Sequence, residues 1–270
     1  QGLENPIDRK DLIEDKKDLA YKILVHNQIK DDAIACIWEN ADEEYFIRES
    51  SNNIAWHTEE IANFNKQIPL VSIRELNLSE QEVVTQIFIY TQNSDFLFAN
   101  MTVAIERLGL NIQGARIFTS HNDNCMNTFI VLDKDGNSVG ASLRRVHEIT
   151  DIIRTTISNK GPINLKSRFR DYSDVRLFTK EIYVRIINFH NKAFSTLEIN
   201  CPDYPGILAF IGSVLAEEEL RIKDARITTL GERVEDLFYV TDSQNNALRG
   251  AKNLRTIERK IKAKLEQRIA

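Results

Sequence analysis

The stretch Asp203-Tyr204-Pro205-Gly206-Ile207-Leu208 brings together residue types able to seat a small anion. It joins an alternating apolar run, Leu197, Ile199 and Cys201, to a run at helical spacing, Ile207, Leu208, Ile211, Val214 and Leu215. Asp203 is placed to cap free N–H groups at a helix start. Pro205 sets φ near its helical value, and Gly206 lets a ligand approach the backbone closely. A helix start carries unpaired N–H donors and a partial positive charge, so the chemistry on offer is capture of a carboxylate. The plainer reading, a tight strand-to-helix corner, stands beside it.

The rest of the chain offers no reaction centre. The five histidines, His26, His57, His121, His147 and His190, form neither an HExxH pair nor a His-Asp dipeptide. There is no Gly-rich phosphate loop and no paired-aspartate nucleotidyltransferase motif. The run Asp133 to Ser138, "DKDGNS", has its glycine fourth rather than sixth and lacks the closing glutamate of a calcium loop, so it reads as a turn after a strand. Cys36, Cys125 and Cys201 are too widely spaced for a metal or redox pair and read as free thiols in a reducing compartment. No bound metal or cofactor is expected. A net charge of −5 argues against dispersed nucleic-acid binding, although the last helix is rich in Lys and Arg. No apolar run is long enough for a membrane helix, and the polar start has no signal region. Beginning on Gln rather than Met, the chain reads as part of a longer protein.

Positioning the turn requires a scaffold, and the scaffold repeats. Residues 85–119 align without a gap on residues 195–229, so that Ala115-Arg116-Ile117 falls on Ala225-Arg226-Ile227. After one residue is lost in a turn, "NTFIVLD" (127–133) falls on "DLFYVTD" (236–242). Such self-similarity implies two copies of one supersecondary unit. Each copy reads strand, helix, strand, strand, helix, and a further strand-like run, 69–76 or 181–189, precedes it. The expected fold is α+β: in each copy a four-stranded antiparallel sheet with two helices on one face, in the ferredoxin-like manner. The expected domains are a helical connector at 1–66, a first module at 67–158, a polar linker at 159–180 and a second module at 181–270. In the connector, Leu12 to Leu24, "DDAIACIWEN" and "SSNNIAWHTEEIANF" mark three helices.

The order strand, "DxPGxL", helix, strand, strand, helix resembles the ACT domain, a regulatory module that commonly binds amino acids. The resemblance implies a ligand at the strand-to-helix turn, where two modules pair. Asp203, Pro205, Gly206, Ile207 and Leu208 fit the pattern. In the first copy Asn93-Ser94-Asp95-Phe96-Leu97 stands in the place of Asp203 to Ile207. Losing the glycine there puts a side chain where a carboxylate would approach, so the second copy is the expected binder and Asn93 and Asp95 are the first copy's counterparts. Lys223 and Asp224, with Asn111 in the first copy, start the strand expected beside the turn and are secondary candidates.

Taken with "QGLENPIDRKDLI", "YFIRESSNNIAWHTEEI" (45–61) and "DARITTLGERVEDLFYVTD" (224–242), the tandem arrangement resembles the C-terminal portion of the bacterial PII uridylyltransferase/uridylyl-removing enzyme family. That resemblance implies a cytoplasmic, glutamine-sensing region of an enzyme of nitrogen metabolism. It is non-catalytic by itself and lies downstream of catalytic domains that use Mg and UTP on the PII signal protein. It also allows a homodimer through the modules. The alternative is a dimerisation or protein-interaction module with no small-molecule ligand.

Overall fold

The computed structural model describes residues 6–64, 69–79, 82–158, 161, 181–190, 192–203, 206–230 and 233–269. Four helices come first: α1 (Pro6–His26), α2 (Asp31–Glu39), α3 (Glu43–Arg48) and α4 (Ser51–Ala62). The first repeat is β1 (Leu70–Asn77), β2 (Val83–Gln92), α5 (Leu97–Arg107), β3 (Leu110–Thr119), β4 (Asn124–Asp133) and α6 (Leu143–Ser158). The second is β5 (Tyr183–Asn188), β6 (Ser195–Pro202), α7 (Ile207–Glu217), β7 (Arg221–Leu230), β8 (Arg233–Thr241) and α8 (Ala251–Ile269). The fold is α+β, as expected. The expected linker, 159–180, lies outside the described residues apart from Gly161, and so does Pro205.

The strands form one sheet of eight, ordered β1-β2-β4-β3-β7-β8-β6-β5, with every pairing antiparallel. Its two halves meet edge to edge where Gly114, Ala115 and Arg116 of β3 pair with Thr228, Ile227 and Arg226 of β7. Arg116 and Arg226 occupy the same position in the two repeats, so a local two-fold axis passes between them. Each repeat carries a register shift at the same place, between Ile112 and Gly114 and between Ile222 and Asp224. One extra residue, Gln113 or Lys223, is thereby accommodated as a bulge.

Alternation sorts the side chains. Ile87, Ile89, Ile117, Leu197, Ile199, Ala225, Ile227 and Phe238 face the four repeat helices and form one core continuous through both repeats. Phe98 of α5 crosses the seam and meets Phe238 edge-on at 5.9 Å. The helices α5 and α7 approach closely because Gly212 has no side chain: a Cβ there would stand 2.8 Å from Phe98 Cδ1 and 3.1 Å from the Ala99 backbone.

The opposite face of the first half-sheet is covered by α1–α4. Phe88, Phe118, Met126 and Leu70 pack there with Tyr45, Phe46, Ile54 and Trp56. Ser50 caps α4 by accepting the Asn53 N–H at 3.2 Å. His57 is buried whole: it stacks on Phe88 at 4.0 Å, and its ring nitrogens bond Tyr45 Oη (3.0 Å) and Thr128 Oγ1 (3.1 Å). Burial, with Arg74 and Arg116 nearby, holds its pKa well below the ordinary histidine value. The short helix α3 was not evident in the sequence, since six residues give too few turns for a periodicity.

Candidate functional site

The aligned turns of the two repeats fold differently. In the second, Gly206 is the N-cap of α7 at φ +88°, a left-handed conformation that glycine adopts without strain. In the first, the aligned residue Phe96 caps α5 at φ −105°, which a bulky residue tolerates. The glycine of "PGIL" therefore has a backbone reason of its own.

A cavity of about 390 Å³ opens at the first turn, between the repeats. Asn93, Ser94 and Asp95 line one side, with Leu97, Phe98 and Met101 of α5. The second repeat supplies Gly212 and Ala216 of α7 and Glu219, Leu220, Arg221 and Ile222, which lead into β7. Its size lies in the range of small-ligand sites. The turn is braced: Asn93 N–H donates to the Asp123 carbonyl at 2.9 Å, and Asn93 Nδ2 donates to Asp123 Oδ1 at 3.0 Å.

The polar groups of this cavity are mixed in charge. Arg221 brings a cation; Asp95, Asp123 and Glu219 bring carboxylates. Asn127 is fully buried, and its Nδ2 donates to Met101 Sδ at 3.4 Å while its Oδ1 has no partner among the described residues. Cys125 also lines the cavity, but burial pushes its thiol up to about 12, so it is a neutral wall and not a nucleophile.

Around the second turn the arrangement is different. Asp203 is exposed at the end of β6, and partial desolvation raises its pKa. Ile207 and Leu208 are core residues of α7. Glu106, in the last turn of α5, lies near this turn. Burial raises the Glu106 carboxyl to about 7, the Gly206 N–H opposes that rise, and Asp203 adds to it.

The remaining candidates separate. Asn111, at the start of β3, is exposed and its Nδ2 lies 3.5 Å from the Asp133 carbonyl. Lys223 and Asp224 line a smaller cavity of about 170 Å³ beneath α3, together with Tyr45, Phe118 and Tyr239. Asp224 alternates with the inward-facing Ala225, so it projects to the opposite face of the sheet from the repeat helices. There it is ion-paired with Arg48 of α3, whose guanidinium lies 4.3 Å from the Tyr239 ring centre and 3.2 Å from Glu44. Burial lifts the Asp224 carboxyl to about 7 against the pull of Arg48. Asp133, in the "DKDGNS" run, accepts the N–H groups of Asp135 and Asn137 at 2.9 and 2.8 Å, a self-closed turn that Asp242 repeats with Gln244 and Asn246.

The structure thus brings Asn93 and Asp95 together with Arg221, Asn127 and Ala216, residues the sequence reading did not select. The signal for them lay in the gapless alignment, where Ala216 stands opposite Glu106 and Arg221 opposite Asn111.

Known proteins similar to this chain share one description. The family described as "Uridylyltransferase GlnD fifth domain" matches residues 8–60, within α1–α4. The bifunctional uridylyltransferase/uridylyl-removing enzyme of Pseudomonas fluorescens Pf-5 is 37% identical over 249 residues, which is 92% of this chain and 28% of that enzyme. The enzyme of Pseudomonas aeruginosa PAO1 gives the same identity and coverage. The chain is a relative of the C-terminal part of these enzymes. It spans under a third of the length of the uridylyltransferase/uridylyl-removing enzymes it matches. Aspartate kinase from Synechocystis is similar at 14% identity with a TM-score of 0.32, over 62% of this chain and 27% of that one. That likeness adds nothing to the fold read from the strands. Among the described residues no helix is long and apolar enough to cross a membrane.

Proposed function

We propose that this chain is the amino-acid-sensing region of a cytoplasmic uridylyltransferase/uridylyl-removing enzyme that governs nitrogen metabolism, and that its ligand is glutamine. The observation that carries the reading is the 390 Å³ cavity between the repeats, lined by the Arg221 cation and by the carboxylates of Asp95, Asp123 and Glu219. A free amino acid has a carboxylate for Arg221 and an ammonium for Asp95, Asp123 or Glu219, and the amide of glutamine suits the remaining polar wall of Asn93 and Ser94. The relatives' name supplies the uridylyl chemistry, whose Mg, UTP and PII partner belong to the rest of the enzyme. The ligand-binding turn in this reading is the first, Asn93 to Asp95, while Asp203 to Leu208 form its pseudo-symmetric counterpart.

A ligand switches an enzyme only by binding one state better than another. Because the cavity is walled by both repeats, glutamine would favour the conformation in which they are closed on each other. From β7 the change passes directly to the connector: Arg221 and Ile222 line the cavity, and Asp224 holds Arg48 of α3. Calorimetric titration of the chain with glutamine tests the reading. One saturable site is expected; no heat and no thermal shift at millimolar glutamine would remove it in favour of a ligand-free interaction module.

A further inference from the structure

The strand β7 has a cavity on each side of the sheet. Arg221 and Ile222 line the one between the repeats, and Lys223 and Asp224 line the one of about 170 Å³ beneath α3. Three parts of the chain wall this second cavity. Tyr45 comes from the connector, Phe118 from β3 of the first repeat, and Phe194 and Tyr239 from the second. Its volume is close to the roughly 150 Å³ at which an apolar protein cavity admits benzene.

Two features of the wall select a ligand. The first is aromatic. Tyr45 meets Phe118 edge-on at 5.2 Å, and Phe194 meets Tyr239 in the same way at 5.2 Å. Aromatic faces attract cations. Tyr239 already does so, with the Arg48 guanidinium 4.3 Å from its ring centre. The second feature is charge. Among the described residues three carboxylates line the cavity, Asp42, Glu44 and Asp224, against one cation, Lys223. Asp224 is the buried one, and Arg48 takes its Oδ2. Glu44 bonds Arg48 and Arg9, and Asp42 bonds His121. None of these three partners is a lining residue, so their charges lie outside the wall. Thr241 of β8 also lines the cavity; it is 2% exposed, and its Oγ1 has no hydrogen-bond partner among the described residues.

We propose that this cavity is a second ligand site, that it takes a compact organic ammonium ion, and that the bound ion ties the connector to the second repeat. The site lies across the sheet from the amino-acid cavity and does not depend on the glutamine reading.

The probe is tert-butylammonium, set against tert-butanol and trimethylacetate, which have nearly its shape without its charge. Each is titrated into the 270-residue chain and followed by NMR at about pH 8, above the value of about 7 to which burial raises the Asp224 carboxyl. Tert-butylammonium should shift the ring resonances of Phe194 and Tyr239 saturably and bind at least about tenfold more tightly than tert-butanol. Trimethylacetate should shift neither ring. Phe194 is only half-buried, so Phe194→Ala should keep the fold and weaken the ammonium by about fivefold or more. Asp224→Asn should weaken it by about tenfold or more. The unaltered chain decides the matter where a variant fails to fold. No saturable shift with tert-butylammonium, equal binding of tert-butanol, or tighter binding of trimethylacetate overturns the proposal. Ammonium binding that persists at full strength in both variants places the ion elsewhere and overturns it too.

Discussion

Arg116 and Arg226 face each other directly across the β3–β7 seam, each the counterpart of the other under the local two-fold axis. Two like charges at a cross-strand position disfavour the pairing. Among the described residues the connector meets this pair at Arg116. Arg116 is drawn to Glu49, whose Oε2 it meets at 3.0 Å, and it also donates to the Arg48 carbonyl at 2.5 Å. Glu49 is fully buried and accepts the Asn53 Nδ2 as well, at 2.6 Å. The helices at the start of the chain thus help to hold the seam.

Replacing Glu49 with Ala should therefore weaken more than α4. It strands the Asn53 amide and returns Arg116 to the field of Arg226. A loss of about 1–3 kcal/mol is expected by urea denaturation. Adding Arg226→Ala to that variant should recover part of the loss. If the two substitutions simply add, the two arginines are not coupled.

Arg221 is expected to carry the ligand's carboxylate. Arg221→Ala should weaken glutamine binding by at least about tenfold, as loss of a charged hydrogen bond does, while leaving the melting temperature nearly unchanged. Unaltered affinity would move the anion partner elsewhere in the cavity.

Gly206 and Phe96 make a matched pair for testing backbone strain. Gly206→Val forces a β-branched residue to φ +88° and should cost about 1–3 kcal/mol. Phe96→Ala needs no such conformation, so it should cost no positive-φ strain. The thermal stability of Gly206→Ala, which adds only a Cβ, should fall by a good part of the valine value; an unchanged value would show that the turn relaxes.

Two buried carboxyls give stability a definite slope in pH. Asp224 faces Arg48, Glu44, Glu49 and the Ala225 N–H, and Glu106 faces Asp203 and the Gly206 N–H; both titrate near 7 in the fold, above their ordinary values of 3.8 and 4.5. An acid with a raised folded pKa stabilises fully below its unfolded pKa, and that contribution is lost as pH rises through the folded one. His57 acts in the opposite sense below its ordinary 6.5, because its folded pKa is depressed. The window left to the carboxyls is about pH 6.5 to 8, where stability should fall as pH rises. Melting curves should show a shallower fall in Glu106→Gln and in Asp224→Asn. A stability that rises through this window would contradict both assignments.

Most of the scaffold is legible in the sequence. Alternation in Leu197, Ile199 and Cys201 and helical spacing in Leu254, Ile257, Ile261 and Leu265 reflect burial on one face, which a single chain records directly. The repeat then gave the order of elements. What one repeat could not record was its relation to the other. The edge pairing of β3 with β7 depends on backbone hydrogen bonds that any residue can make. The assignment of Asp224 as a site candidate followed from its nearness to a strand start, yet its alternation with Ala225 sends it to the opposite face, towards Arg48. The cavity between the repeats depends on how α5 and α7 approach at Gly212, which is a matter of packing in three dimensions.

The continuous eight-stranded sheet has a consequence for what the cavity between the repeats measures. Had the two halves belonged to separate molecules, the cavity would exist only when protein was abundant enough for them to meet, and occupancy would mix ligand level with protein level. Covalent linkage fixes the local concentration of each half around the other. A site assembled in this way responds to the ligand alone, at any abundance of the chain that carries it.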